Sequence, residues 1–213
     1  RRAFAALGLE AAFARAVAAV VQPGVEFGHD SVVPYAPEKA RALSAVLDRL
    51  PGFVFEAHST DYQTPEALAA LVRDGFAILK VGPGLTFALR EALYGLDHIA
   101  SALDGRPPSL QPAMEALMLA RPEHWAKYYP GTPDEQRIQR HFSYFDRIRY
   151  YWPAAAEPVA RLLARLEGRR LPETLLSQYL PGLAGPTPHA LLLAAVQRVL
   201  AQYHAATRET AHG

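Results

Sequence analysis

The chain has 213 residues, half of them apolar, with 22 Lys and Arg against 21 Asp and Glu. Its formal charge of +1 argues against a protein that binds nucleic acid or a membrane surface in bulk. Without cysteine there is no disulfide, no thiolate metal site and no cysteine nucleophile, and the chain suits a reducing cytoplasm.

Arg1-Arg2-Ala3-Phe4 opens like a twin-arginine signal, but Glu10 and Arg15 interrupt the apolar run behind it. No stretch reaches the ~20 apolar residues of a membrane helix. Phe4 to Arg15 is expected to be an amphipathic helix feeding a strand. The missing initiator Met reads as the mark of a fragment or a processed piece. Val17 to Val21 is a short apolar run, the pattern of a strand buried on both faces, and Gln22-Pro23-Gly24 stops it. The long loop that follows holds Glu26, His29 and Asp30. Loops of that length are often functional in α/β proteins.

Pro37 suits a first helical position with Glu38 beside it, and Ala40, Leu43, Leu47 and Leu50 form one apolar stripe. Phe53 to Ala57 is the second predicted strand. Thr64 caps a helix that starts at Pro65 and ends at Gly75. Phe76 to Val81 is the third strand, and Gly82-Pro83-Gly84 leads into a helix over about 85–100. Short crossovers make the three strands parallel neighbours in one sheet. From Asp104 no convincing strand appears. Helices are expected near 112–120, 134–151, 157–167, 172–179 and 188–206. The domain reading is an α/β unit over 1–103 and an all-helical extension over 104–213, packed on the first.

Reactive side chains gather at two strand ends, where parallel α/β proteins place their ligands. Strand alternation puts Val54, Glu56 and His58 on one face and Phe53, Phe55 and Ala57 on the other. Lys80 closes the third strand and is placed to meet Glu56 and His58 across it. The functional reading gives Glu56 and His58 proton transfer or metal ligation, with His58 the candidate ligand, and gives Lys80 an anionic or carbonyl oxygen. The alternative is a buried Lys80–Glu56 ion pair plugging the sheet end. Glu26 and Asp61 stand near enough in sequence to join a substrate site, although Asp61 also suits a turn. Gly82 and Gly84 open a helix whose backbone N–H groups suit a phosphate. The turn has neither G-x-x-x-x-G-K-[ST] nor G-x-G-x-x-G. In the helical part, HFSYFDRIRYYW (141–152) is rich in aromatics and arginine. It reads as packing or interface, with Arg147 and Arg149 as candidate clamps for a phosphate or a carboxylate.

VVQPGVEF (20–27), EAHSTDYQT (56–64), RDGFAILKVGPGLTFALREALY (73–94), DRIRYYWP (146–153) and SQYLP (177–181) resemble the accessory subunit of class II D-tagatose-bisphosphate aldolase. An older label for that family is tagatose-6-phosphate kinase. The resemblance covers nearly the whole chain and implies a TIM barrel with a C-terminal helical extension. It also implies a cytoplasmic, non-catalytic, stabilising role in galactitol or N-acetylgalactosamine breakdown. It assigns zinc to a catalytic partner subunit and no cofactor to this chain. Only about three of a barrel's eight strand–helix units are legible, so the expected fold is the C-terminal part of a TIM barrel. A sugar-phosphate ligand and self-association are both compatible with this reading. The alternative function is a metal-dependent lyase or epimerase acting itself on a sugar phosphate, with Lys80 stabilising an enediolate. A kinase lacks its ATP-phosphate motif here.

Overall fold

The Ala-rich start does not hold one helix. In the computed structural model, which describes residues 1–208, it forms α1 (Arg2–Ala6) and α2 (Glu10–Phe13). Gly8, at φ +65°, turns the chain between them, and Phe4 and Phe13 meet at 5.3 Å between ring centroids. The last five residues of the expected 104–213 segment lie outside the described residues.

The chain divides into two compact units. One contains Arg1–Glu26, Val32–Val81 and the chain from Gln202 onward; the other contains Phe27–Ser31 and Gly82–Ala201. In the first, β1 (Ala18–Val21) is followed in the long loop by β2 (Glu26–Phe27), of which only Glu26 belongs to this unit, and by β3 (Val32–Val33). Then come α3 (Pro37–Ser44), β4 (Val54–Ala57), α4 (Pro65–Arg73) and β5 (Ile78–Leu79). Pro37 and Pro65 occupy first-turn positions, and the Thr64 hydroxyl accepts the Ala67 N–H at 3.2 Å.

The sheet is parallel, in the order β1-β4-β5. The third strand is shorter than Phe76–Val81, because β5 is paired only against Glu56 and Ala57 at the end of β4. Phe76 turns inward instead and stacks 5.8 Å from Phe55 in a core shared with Val25, Tyr35, Leu68 and Leu71.

The second unit is helical: α5 (Pro83–Asp104), α6 (Leu110–Ala120), α7 (Pro133–Phe142), α8 (Ala156–Leu166), α9 (Glu173–Tyr179) and α10 (Pro188–Arg208). Residues of α10 up to Ala201 belong to this unit, and those from Gln202 to the first. The Asp97 carboxylate accepts the Ser109 and Leu110 N–H groups at 2.8 and 2.7 Å, which starts α6. The helix expected over 134–151 stops at Phe142. Ser143 turns extended, its hydroxyl accepts the Phe145 N–H, and Asp146 adopts φ +45°. Leu96, Ile99, Met114, Met118, Ile148, Leu166 and Leu191 are fully buried at the centre of this unit. No helix among the described residues is long and apolar enough to cross a membrane.

Gly95, in the middle of α5, tests how tightly that core is packed. A Cβ there would lie 2.5 Å from Leu180 Cδ2 and 2.6 Å from the Tyr179 carbonyl oxygen. Alanine gains roughly 0.8–1.0 kcal/mol of helix propensity over glycine. Overpacking against main chain costs about 1–3 kcal/mol. Gly95→Ala is therefore expected to lower the melting temperature by several degrees. An unchanged or higher melting temperature would show that the contact relaxes freely.

Candidate functional site

β4 is the central strand, and its alternation decides which side chains reach the open face of the sheet. Phe55 and Ala57 point into the core and are buried, whereas Val20 and Ile78, in register on either side of Glu56, are 59% and 40% exposed. Glu56 thus stands on the uncovered face, and His58 follows it by two residues. Glu56 Oε1 lies 2.8 Å from His58 Nε2. A carboxylate only accepts, so the proton sits on Nε2 and the lone pair of the neutral ring on Nδ1. The arrangement orients an imidazole, favours one tautomer and stabilises the imidazolium once Nδ1 has taken a proton, as in a carboxylate–histidine general base.

The turn after β4 is held from several sides. The His58 N–H donates to the Val21 carbonyl at 3.2 Å, and the Lys80 N–H to the Ala57 carbonyl at 3.0 Å. Ser59 and Tyr62 both adopt left-handed backbone, φ 57° and 64°, which is costly for side chains other than Gly, Asn or Asp. The buried Thr60 hydroxyl donates to the Lys80 carbonyl at 2.6 Å. Gln63 accepts the Tyr35 N–H at 2.9 Å and donates to the Val33 carbonyl at 3.0 Å. Tyr203, on α10, donates its hydroxyl to the Thr60 carbonyl at 2.9 Å.

The expected site residues are therefore distributed unevenly. Glu56 and His58 come together. The Lys80 side chain is exposed beyond β5, and Glu56 is hydrogen-bonded to His58. Asp61 is buried in the turn, and Glu26 is exposed at the start of β2. Gly82 and Gly84 open α5, with Gly82 at its N-cap, and belong to the second unit. His29 packs 4.5 Å from the Phe145 ring, and its Nδ1 lies 3.2 Å from the Ser143 hydroxyl. Thr60, Gln63 and Tyr203 were not singled out from the sequence. Nothing local marks a tyrosine 143 residues from the turn it bonds.

A family model described as D-tagatose-1,6-bisphosphate aldolase subunit GatZ/KbaZ-like matches residues 1–208. The chain belongs to the GatZ/KbaZ-like family. It is 58% identical, over its whole length, to a protein of Agrobacterium fabrum (strain C58 / ATCC 33970) named D-tagatose 6-phosphate 4-epimerase, of which it spans 52%. It is also similar to a crystal structure described as a probable tagatose 6 phosphate kinase from Sinorhizobium meliloti 1021. That similarity has a TM-score of 0.92 and 57% identity over 97% of this chain and 56% of the other. The chain thus spans about half the length of the relatives it matches.

This GatZ/KbaZ-like chain carries further buried polar groups in its helical unit. Glu115 accepts from Arg140 at 2.8 and 2.5 Å and from His141 Nε2 at 2.9 Å. Its carboxyl is held below the usual range, mainly by the Arg140 hydrogen bonds and against burial. Since His141 Nε2 donates to a carboxylate, Nδ1 accepts from the Tyr94 hydroxyl at 2.7 Å, and burial keeps the imidazole below its ordinary value. Every polar atom of the His141 ring is thereby satisfied inside the fold. The guanidinium of Arg147 donates to the His124 carbonyl and lies 3.5 Å from the centre of the Tyr128 ring; that of Arg149 donates to the Phe145 carbonyl. Both guanidinium groups make intramolecular contacts.

Proposed function

We propose that this chain is the carboxyl-terminal part of a longer protein that breaks and re-forms the C3–C4 bond of a phosphorylated tagatose, with net inversion at C4. The observation that carries the reading is the Glu56–His58 pair, 2.8 Å apart on the open face of the central strand. Chemistry links the family's aldolase description to the relative's name of 4-epimerase. C4 of a 2-ketose lies β to the carbonyl, so its hydrogen is not acidic and simple deprotonation cannot invert it. Retro-aldol cleavage does so without a redox partner. A base takes the C4 hydroxyl proton, the C3–C4 electron pair moves to the carbonyl as an enediolate, and C4 becomes an aldehyde. Re-addition to the opposite face of that aldehyde, with return of the proton, gives the C4 epimer.

In this reading His58 Nδ1 accepts and returns the hydroxyl proton, and Glu56 orients and stabilises the imidazolium. Lys80 offers its ammonium to the enediolate oxygen, and Glu26 and Asp61 are the further substrate-contact candidates. Phosphate binding by the N–H groups at Gly82 and Gly84 is a separate element of the proposal, supported by their place at the start of a 22-residue helix. A divalent metal, when bound, would supply a Lewis acid for the enediolate. Among the described residues no group of three or more His, Cys, Asp or Glu could hold one, so the described residues do not make up a ligand set. The fold part of the proposal is a TIM barrel, in which further strands would cover the Val20–Glu56–Ile78 face. Residues 1–103 would belong to that barrel and 104–213 to its helical extension. A phosphorylated substrate, too charged to cross a membrane unaided, supports a cytoplasmic location as part of this reading.

The family's description as an aldolase subunit favours a second reading, in which this chain is non-catalytic and supports a zinc-bearing partner subunit. The full-length natural protein, purified alone, separates the two. With D-tagatose 6-phosphate it is expected to yield the C4 epimer. Substrate labelled with carbon-13 at C4 should show an isotope effect, and substrate deuterated at C4 no primary one. No turnover alone, together with a raised turnover of the catalytic aldolase subunit on mixing, would overturn the catalytic reading and establish the accessory one.

A further inference from the structure

We propose that Tyr203 is a positioning residue for the Glu56–His58 pair, acting through the main chain of Thr60. The inference rests on the reading of that pair as the proton-transfer group, and its starting point is the backbone. β4 ends at Ala57, so the ladder no longer directs the chain beyond His58. Within the next four residues Ser59 and Tyr62 are both left-handed, a conformation that persists only where surrounding contacts over-determine it. Counting protons shows what each contact does. The Thr60 hydroxyl donates its proton to the Lys80 carbonyl, which ties the turn to the end of β5. The Tyr203 hydroxyl donates its proton to the Thr60 carbonyl. The 3.3 Å approach between the two hydroxyl oxygens then has no proton left to share.

The turn is thus held through Thr60 on one side by β5 and on the other by Tyr203. The Tyr203 ring packs against the core that contains Phe55 and Phe76. Burial pushes its phenol up to about 12, so it remains a donor across the working pH range. A hydroxyl in this place fixes the carbonyl two residues after His58 and, through it, the approach of the ring to Glu56. Displacements of about 1 Å in a catalytic group are worth up to ~10²-fold in rate.

The test uses the full-length natural protein and Tyr203→Phe, which removes only the hydroxyl and keeps the ring, with Gln202→Ala on the same helix as the control. The primary readout is the ring nitrogen chemical shifts of His58 by NMR; the second is kcat and KM on D-tagatose 6-phosphate. In Tyr203→Phe the His58 signals should shift or broaden, and kcat should fall on the order of tenfold with KM within about twofold. Gln202→Ala should match the wild type. Unmoved His58 signals overturn the proposal, whether or not kcat changes, because a loss of rate alone would then reflect general stability. If the wild type does not turn over the sugar phosphate, the proposed reaction falls while the NMR readout still decides the positioning role.

Discussion

Replacing His58 by alanine in the full-length protein is expected to lower kcat on the phosphorylated ketose by about 10²–10⁴-fold, the usual contribution of a positioned general base. Glu56→Gln is expected to lose a comparable factor for a different reason. The amide can donate to Nε2, which selects the tautomer protonated at Nδ1 and leaves no lone pair facing the substrate hydroxyl. Neither change should cost much stability. The pair is about three-tenths exposed, 27% and 29% for His58 and Glu56, and a hydrogen bond to a carboxylate that solvent can reach contributes about 0–1 kcal/mol. The diagnostic result is therefore a large loss of kcat with a melting temperature within about two to four degrees of wild type. Steady-state kinetics and thermal melting on the same preparations check it. If both variants keep kcat within threefold, the pair takes no part in the chemistry.

Asp146→Asn is expected to have the largest effect on stability. Asp146 and Arg90 are 1% and 2% exposed, and the carboxylate accepts from Arg90 Nε at 2.9 Å and from the Thr86 hydroxyl at 2.5 Å. Arg90 Nη2 is buried with no hydrogen-bond partner among the described residues, and the guanidinium lies 4.1 Å over the Phe87 ring. Burial raises the Asp146 carboxyl above its usual range, and Arg90 only partly opposes this. Asparagine tolerates the left-handed backbone at φ +45° about as well as aspartate, so the substitution removes the charge and little else. It leaves a buried guanidinium uncompensated, a loss of about 3–5 kcal/mol. At roughly 2–4 °C per kcal/mol for a chain of this size, the melting temperature should fall by about 6–20 °C. Adding Arg90→Met should recover much of that, since an apolar replacement removes the stranded charge. A drop below about 1 kcal/mol in Asp146→Asn would mean that Arg90 finds another acceptor. The sign of the linkage is also fixed. A carboxyl raised by folding takes up its proton more readily in the native state, so protonation of Asp146 as pH falls favours the folded form and this group opposes acid unfolding.

Much of the first unit follows from local rules. The parallel order of β1, β4 and β5 came from short crossovers, and the start of α4 from Thr64 and Pro65. The two-residue step from Glu56 to His58 placed them together, because alternation along a strand acts before any long-range contact. Local rules were weaker where the backbone leaves its preferred regions. The chain over 134–151 has a helical composition, yet Ser143 and Asp146 break it. The reward for the break is the pairing of Asp146 with Arg90, 56 residues away.

The amino-acid sequence by itself determined the family, the parallel strands and the facing of Glu56 and His58, since these depend on motif order and on periodicities of two and 3.6 residues. Only the tertiary structure decided that Glu56 pairs with His58 rather than with Lys80. It alone showed that β5 shrinks to Ile78–Leu79, and that Thr60, Gln63 and Tyr203 hold the strained turn behind the pair. Those outcomes depend on which distant donors and acceptors are buried together. Burial strongly favours a partner for each such group, and proximity in the chain does not say which partner it will be.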